Sequence, residues 1–342
     1  MNKQLGLLLL VTLIAVGAAV RLTYQAQPGN QDPQVLYVDG HKKAAGITAV
    51  QLRNSQGSLL QAELIDGQWM ARFDEFATTY PLNKNALAEF IQSLTQARLI
   101  EAKTSKKDNY HHLGLEAIDN QDSLAVEVSI LSNDSIVPWQ VLIGNKVVGA
   151  PGTYVRMPND AKSWKIDQTI EVPTSKFDWL KRPILDLSAK DLTMITRTDT
   201  KGWSISRQDE GEFALNGMPK GRELRYPGIV SALVDSVLEL DFEQLLPLGD
   251  EQWQKAKIIS RLNIKTRAEQ QLQLKVASLD NQYFVQFSSE QLPGYWSDWT
   301  YQISSFHAQQ LTKTLEDFLA ELPQASEPAK VQAEVEEGDS PN

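Results

Sequence analysis

Apolar residues at every second position, interrupted by glycine-bearing turns, restrict what this chain can fold into more than any other feature. Leu60, Ala62 and Leu64 alternate with Gln61 and Glu63, and Trp69, Ala71 and Phe73 alternate with Met70 and Arg72. Successive side chains on a strand point to opposite faces, so each run has one apolar and one polar face. Asp66-Gly67 supplies the tight turn between them. The period then changes. Leu87, Phe90, Ile91 and Leu94 fall at helical spacing behind Asn83, a good capping residue. Alternation resumes with Leu124, Val126, Val128 and Ile130, then Trp139, Val141 and Ile143, then Tyr154 to Met157 and Trp164 to Ile166. Hairpin-linked strands with one helix predict an α+β unit built on a largely antiparallel sheet.

The second half replays this order. Leu192 to Thr196 reads as a strand, Gly202 turns, and Trp203 and Ile205 start another. Tyr226-Pro227 opens a helix with Leu233, Val237 and Leu240, as Tyr80-Pro81 opens the first. Laying one helix on the other puts Ala86 over Ala232, Leu87 over Leu233, Ile91 over Val237 and Leu94 over Leu240. Leu272-Leu274-Val276 and Tyr283-Val285-Phe287 then match the paired strands of the first half. Pro293-Gly294 before Tyr295-Trp296 matches Pro151-Gly152 before Thr153-Tyr154. A last helix carries Leu311, Leu315, Phe318, Leu319 and Leu322 on one face. The expected organisation is two tandem repeated α+β units, residues 46–172 and 190–322, each about 130 residues long. Residues 173–189 join them.

The N-terminus sets the compartment. Lys3 precedes an apolar run from Leu5 to Val20, broken only by Thr12 and closed by Arg21. Extended to Tyr24, a helix here reaches about 30 Å, the hydrocarbon thickness of a bilayer. Residues 1–24 are therefore read as a transmembrane anchor. The rival, a cleaved signal peptide, has small residues available at Val16-Gly17-Ala18 and Gly17-Ala18-Ala19, but the run exceeds the usual signal core. Both readings place the body outside the cytoplasm, and Lys3 favours a cytoplasmic N-terminus. Residues 25–45 read as a polar tether and residues 323–342 as a disordered acidic tail. A formal charge of −10 opposes nonspecific nucleic-acid binding, and the absence of cysteine rules out a disulfide scaffold, thiol catalysis and thiolate zinc sites.

No catalytic motif stands out. Gly144, Gly149 and Gly152 lack the Gly-Lys-Ser/Thr ending of a phosphate loop and sit between strands. No Gly-x-Ser-x-Gly elbow occurs. His111-His112 is the one histidine pair, and neighbours on a strand would diverge rather than share a metal. The reading is thus no catalytic residue, no metal and no cofactor. The aromatic turns are the candidate partner-binding positions: Tyr154 and Arg156 in one half, Tyr295, Trp296 and Trp299 in the other. Exposed, such residues anchor interfaces and sugar platforms; folded inward, they cap the core.

Several segments together carry a family resemblance: the N-terminal apolar segment; Tyr80-Pro81 before the helix ending Leu99-Ile100-Glu101; and Tyr110-His111-His112-Leu113-Gly114-Leu115. Val141-Leu142-Ile143-Gly144, Gly152-Thr153-Tyr154-Val155-Arg156 and Trp179-Leu180-Lys181-Arg182-Pro183-Ile184-Leu185-Asp186 complete the series. The chain resembles the bacterial domain-of-unknown-function family 4340, best over residues 80–186. The resemblance implies a single-span envelope protein of the inner membrane, its bulk periplasmic, associated with gliding-type ABC export components. It transfers no catalytic residue. The expected function is a non-enzymatic accessory subunit docking on an ABC-type permease or its auxiliary protein. The alternatives are a wall- or polysaccharide-binding module and an envelope hydrolase. If Leu5 to Tyr24 is a retained anchor, alkaline carbonate extraction leaves the full-length chain in the membrane pellet, whereas a mature N-terminus at Ala19 or Val20 means cleavage.

Overall fold

The computed structural model describes residues 34–321 except 75, 200, 201, 292 and 293. The predicted anchor, residues 25–33 of the predicted tether and the acidic tail lie outside the described residues. Among those described, no helix is long and apolar enough to cross a membrane. The chain forms two compact units, Met1–Lys181 and Arg182–Asn342.

The first unit begins with β1 (Gln34–Val35) and α1 (Gly40–Lys43), followed by β2 (Ile47–Asn54), β3 (Gly57–Ile65), β4 (Gln68–Phe73) and β5 (Phe76–Pro81). Helix α2 (Lys84–Gln96) leads to β6 (Arg98–Ala102); α3 (Tyr110–Leu113) precedes β7 (Val126–Ser132), β8 (Trp139–Lys146), β9 (Thr153–Arg156) and β10 (Ser163–Ile166). The ten strands make one sheet in the order β1-β6-β10-β9-β8-β7-β2-β3-β4-β5, every pairing antiparallel. The period-2 pattern becomes a continuous apolar row. Ala71, Ala62, Val50, Ile130 and Trp139 pair directly across five strands. Leu87, Phe90 and Leu94 form the buried stripe of α2, which is capped as expected, the Asn83 side chain accepting from the N–H groups of Asn85 and Ala86. Burying each such side chain contributes about 1.5–3 kcal/mol.

The second unit contains β11 (Leu192–Arg197), β12 (Ser204–Arg207), β13 (Phe213–Asn216), α4 (Ile229–Leu238) and β14 (Gln244–Pro247). Next come α5 (Glu251–Lys255), β15 (Lys257–Thr266), β16 (Gln271–Leu279), β17 (Gln282–Ser288), β18 (Trp299–Ile303), α6 (Ser305–Leu311) and α7 (Leu315–Phe318). Its sheet order is β13-β12-β11-β15-β16-β17-β18-β14. Setting aside β1 and β5, the two orders are the same when β2, β3, β4 map to β11, β12, β13 and β6 to β10 map to β14 to β18. In both units the helix leaves one end of the sheet and delivers the chain to the other. The apolar row recurs as Leu215, Ile205, Ile195, Ile264 and Leu272. Leu87 and Leu233 are both buried, as are Leu94 and Leu240; Val237 is buried where Ile91 is half-exposed.

Three sequence readings need correction. The pairing of strands between the halves shifts by one, because Lys257–Thr266 is itself a strand. Its equivalent is Val126–Ser132, so Gly294, which precedes β18, corresponds to the β9–β10 connection and not to the Pro151-Gly152 turn. The last helix is two short ones. The Thr312 hydroxyl donates back to the Ala308 carbonyl at 2.7 Å, and Thr314 with Asp317 caps a new turn. The tether reading fails from residue 34 onward: Leu36 and Tyr37 are buried, and Tyr37 stacks on Trp139 with ring centroids 4.4 Å apart. The apolar run Val35 to Val38 supplied the reason. Residues 173–189 join the units, and parts of the segment are built into each of them. Trp179 and Leu180 are buried in the first unit, where Asn83 N–H donates to the Trp179 carbonyl at 2.9 Å. Ile184 and Leu185 are buried in the second, where Ile184 N–H donates to Leu240 at 2.9 Å.

Candidate functional site

On β9, Tyr154 and Arg156 lie two residues apart and so share a face, the one opposite the apolar row. Arg156 pairs with Leu142, which joins Tyr110, Leu115 and Ala125 in a small buried cluster. Arg156 is only 7% exposed. Its guanidinium lies 4.5 Å from the centre of the Tyr110 ring. It donates to the carbonyl of Leu115 at 3.2 Å and to those of Met157, Pro158 and Asp160 at 3.4, 3.3 and 3.3 Å. Tyr110 donates to the Ala161 carbonyl at 2.5 Å. Gly114, at φ 64°, ends α3 and turns Leu115 inward. Gly144 must lack a side chain, because a Cβ there would stand 2.3 Å from the Leu113 carbonyl oxygen. Three of the segments that carry the family resemblance therefore converge on one structural cluster that clamps α3 onto the sheet.

The other aromatic positions behave alike. Trp296 is 6% exposed and meets Phe287 edge-on at 6.1 Å, and Trp299 is fully buried. Tyr301 donates to the Trp296 carbonyl at 3.2 Å. Trp299 and Tyr301 share one face of β18, between β17 and β14, and both are fully buried. Tyr295 is half-buried and donates to the Ile184 carbonyl at 2.8 Å; burial, with Asp186 nearby, pushes its pKa up to about 12. Tyr154 is half-buried with the Lys103 ammonium 5.8 Å from its ring centre. The structure thus does not assemble Tyr154, Arg156, Tyr295, Trp296 and Trp299 into a surface platform. Arg156, Trp296 and Trp299 are interior groups, and no surface patch of these five exists within either unit.

His111 and His112 lie on α3, not on a strand, and are exposed with ring centroids 3.7 Å apart. Among the described residues no group of three His, Asp or Glu is placed to hold a metal. Carboxylates displaced from their ordinary range are turn, cap and exposed helix residues. Hydrogen bonds from Ser188 hold Asp191 low, one from Ser132 holds Asp134 low, and one from Lys255 holds Glu251 low. The sequence reading missed Arg197. Its guanidinium is 7% exposed, pairs with Asp199 at 2.5 Å, and donates to Thr312 and Lys313 at 2.5 and 2.8 Å and to Ile259 at 3.1 Å. Its position two residues after Ile195, on the inward face, was the available signal.

Fold and polar interior together define an α+β protein of two antiparallel-sheet units, whose buried cations serve the backbone. Residues 77–258 match the model of the domain of unknown function DUF4340, more than half of the chain, and the chain belongs to that family. No curated protein and no solved structure matches it. The matched stretch starts in β5, takes in α2, the Arg156 cluster and α4, and ends in β15.

Arg156→Ala should cost about 2–4 kcal/mol in urea unfolding, since it strips charged donors from buried carbonyls, and Arg156→Lys should recover only part because an ammonium cannot fork. Tyr154→Ala, in the same assay, should cost less than Arg156→Ala. For Tyr295 the sign follows from a folded pKa above the ordinary 10.0. Its contribution is complete below pH 10 and is lost as pH rises through about 12. Tyr295→Phe should flatten the fall in stability across that window, measured by unfolding at fixed pH values.

Proposed function

We propose that this protein is a membrane-tethered, non-enzymatic accessory subunit outside the cytoplasm, docking beside the permease of an ABC-type transport system. The observation that supports this best is the end of the first unit where the chain arrives from its N-terminal segment. Tyr37 is fixed there against Trp139, next to the β7–β8 turn. Ile136, on that turn, is 98% exposed, and Val137 is 70% exposed. Lys42 and Lys43 lie on α1 at the same end. Exposed apolar tips beside lysines, close to the point of attachment, suit a surface held against a membrane or a membrane-embedded partner. Tethering raises the effective concentration of such a partner, so a modest interface suffices. The shared strand order supports reading the two units as duplicates of one ancestral unit, the body of a scaffold.

Wall binding through the aromatic turns loses its physical basis, since Trp296 and Trp299 are buried. The transporter link itself comes from the family resemblance. A photo-crosslinker at Ile136 in intact cells should capture a multi-span permease, and purification in mild detergent should bring down transporter subunits. No transporter subunit in that purification, together with an unchanged complex size after deletion of the transporter genes, would overturn the proposal.

A further inference from the structure

We infer that the outer edge of β13 is a docking groove for an extended, basic segment of a partner protein, which completes the second sheet as β5 completes the first. The inference rests on the docking function proposed above and names its surface. In the first unit β5 pairs with β4 and buries Tyr80 completely. Tyr80-Pro81 and Tyr226-Pro227 precede the two helices at the same distance from the aligned leucines, so Arg222–Pro227 is the counterpart of β5. It does not join the sheet. Leu224 bridges Leu319 instead, Arg225 N–H donates to Phe318 at 2.8 Å, and Ala320 N–H donates to Glu223 at 2.8 Å. Tyr226 is left 46% exposed, and β13 ends the sheet.

The vacated position is a groove of about 550 Å³ between β13 and α4, lined by Phe213, Leu215, Met218, Leu224, Val230 and Val234. Its backbone is ready for a strand. Gln208 N–H donates to Glu212 at 2.7 Å, which makes that pair a hydrogen-bonded one. Pairs alternate along an antiparallel ladder, so Phe213 and Leu215 turn their N–H and C=O groups outward. An added strand bonds there and places alternate side chains in the groove.

Charge selects the occupant. Glu212 and Asp235 are the charged residues of the lining, and Asp209 and Glu210 stand in the adjoining turn. Arg207 flanks the same groove, bonded to the Ala189 carbonyl at 2.5 Å with its guanidinium 5.9 Å from the Phe213 ring, while Lys190 and Lys220 stand outside the lining, so the two lining carboxylates outnumber the one cation committed there. A segment with bulky apolar residues alternating with Lys or Arg meets this rim favourably. A second β13, or the tail with Glu327, Glu334, Glu336, Glu337 and Asp339, brings like charge to it.

The test is fluorescence anisotropy on the detergent-solubilised full chain with a labelled eight-residue peptide alternating Lys with Tyr or Val. Binding should weaken at least about tenfold when the peptide's alternate backbone nitrogens are methylated in the register that faces β13, and likewise when Lys is replaced by Glu. Ser231→Trp, an exposed groove-lining position on α4, should block binding without moving the urea midpoint. Equal binding of methylated and unmethylated peptides, or unchanged binding to Ser231→Trp, overturns the proposal. A photo-crosslinker at Met218 that captures residues 323–342 or a second copy of the chain also overturns it. If the groove fails while transporter subunits still copurify, docking stands and uses another surface.

Discussion

Each unit depends on carrying the chain across its own sheet. Strand β5 lies at one end of the first sheet and β6 near the other, eight strand spacings away. At about 4.8 Å per spacing a flat sheet would separate them by about 38 Å. The 13 residues of α2 supply about 20 Å, and the few flanking residues about 14 Å more when extended. The link nearly covers that span, and right-handed strand twist, which brings the ends of a wide sheet nearer, eases the crossing. A helix is suited to this crossing. It satisfies its own N–H and C=O groups while it runs over the apolar row, where an extended segment would bury unpaired ones. The buried residues Leu87, Phe90 and Leu94 of the first unit, and Leu233, Val237 and Leu240 of the second, thus tie both ends of a sheet to its middle.

Where the chain cannot satisfy its backbone by regular structure, buried arginine does so. Arg156 gathers four carbonyls from the α3 turn and the β9–β10 loop, and Arg197 gathers three from the end of α6 and from β15. A guanidinium presents five donors in a fixed plane, so one side chain can close a loop that would otherwise need several partners. Arg197 keeps an ion partner in Asp199, whereas Arg156 rests on the face of Tyr110. Both devices spend a cation on architecture, which is why the same residue type read from sequence as an interface anchor turns out to be internal.

The sheet-forming segments were legible because period-2 alternation and the Asp66-Gly67 turn are local signals, and α2 because Asn83 caps a helical stripe. The repeat was legible through the helix registers, yet its strand pairing slipped by one because Lys257–Thr266 mixes Lys257, Arg261 and Lys265 into its pattern and hides its apolar face. Burial of Trp296, Trp299 and Arg156 was not legible. A Pro-Gly turn predicts a reversal of the chain, but whether the aromatic that follows points to solvent depends on which strands flank it, and that is a property of the whole sheet. The Arg156 cluster likewise joins residues 46 positions apart, Tyr110 and Arg156, through a contact with no periodic signature.

Edges are the remaining problem of any open sheet, and the two units treat them differently. The first ends in β1, of two residues, and in β5, whose Pro81 lacks an N–H to offer a stranger. The second ends in β14, which likewise closes on Pro247, and in β13, which has no proline and lies beside an apolar groove. Such an edge invites pairing with other copies of the chain. The exposed carboxylates of Glu212 and Asp235 work against that, since two β13 edges brought together would gather like charges along one seam. The same carboxylates lower the free energy of a cationic strand in that place. On the inference drawn above, one pair of side chains would both oppose self-association of the edge and favour a partner of opposite charge.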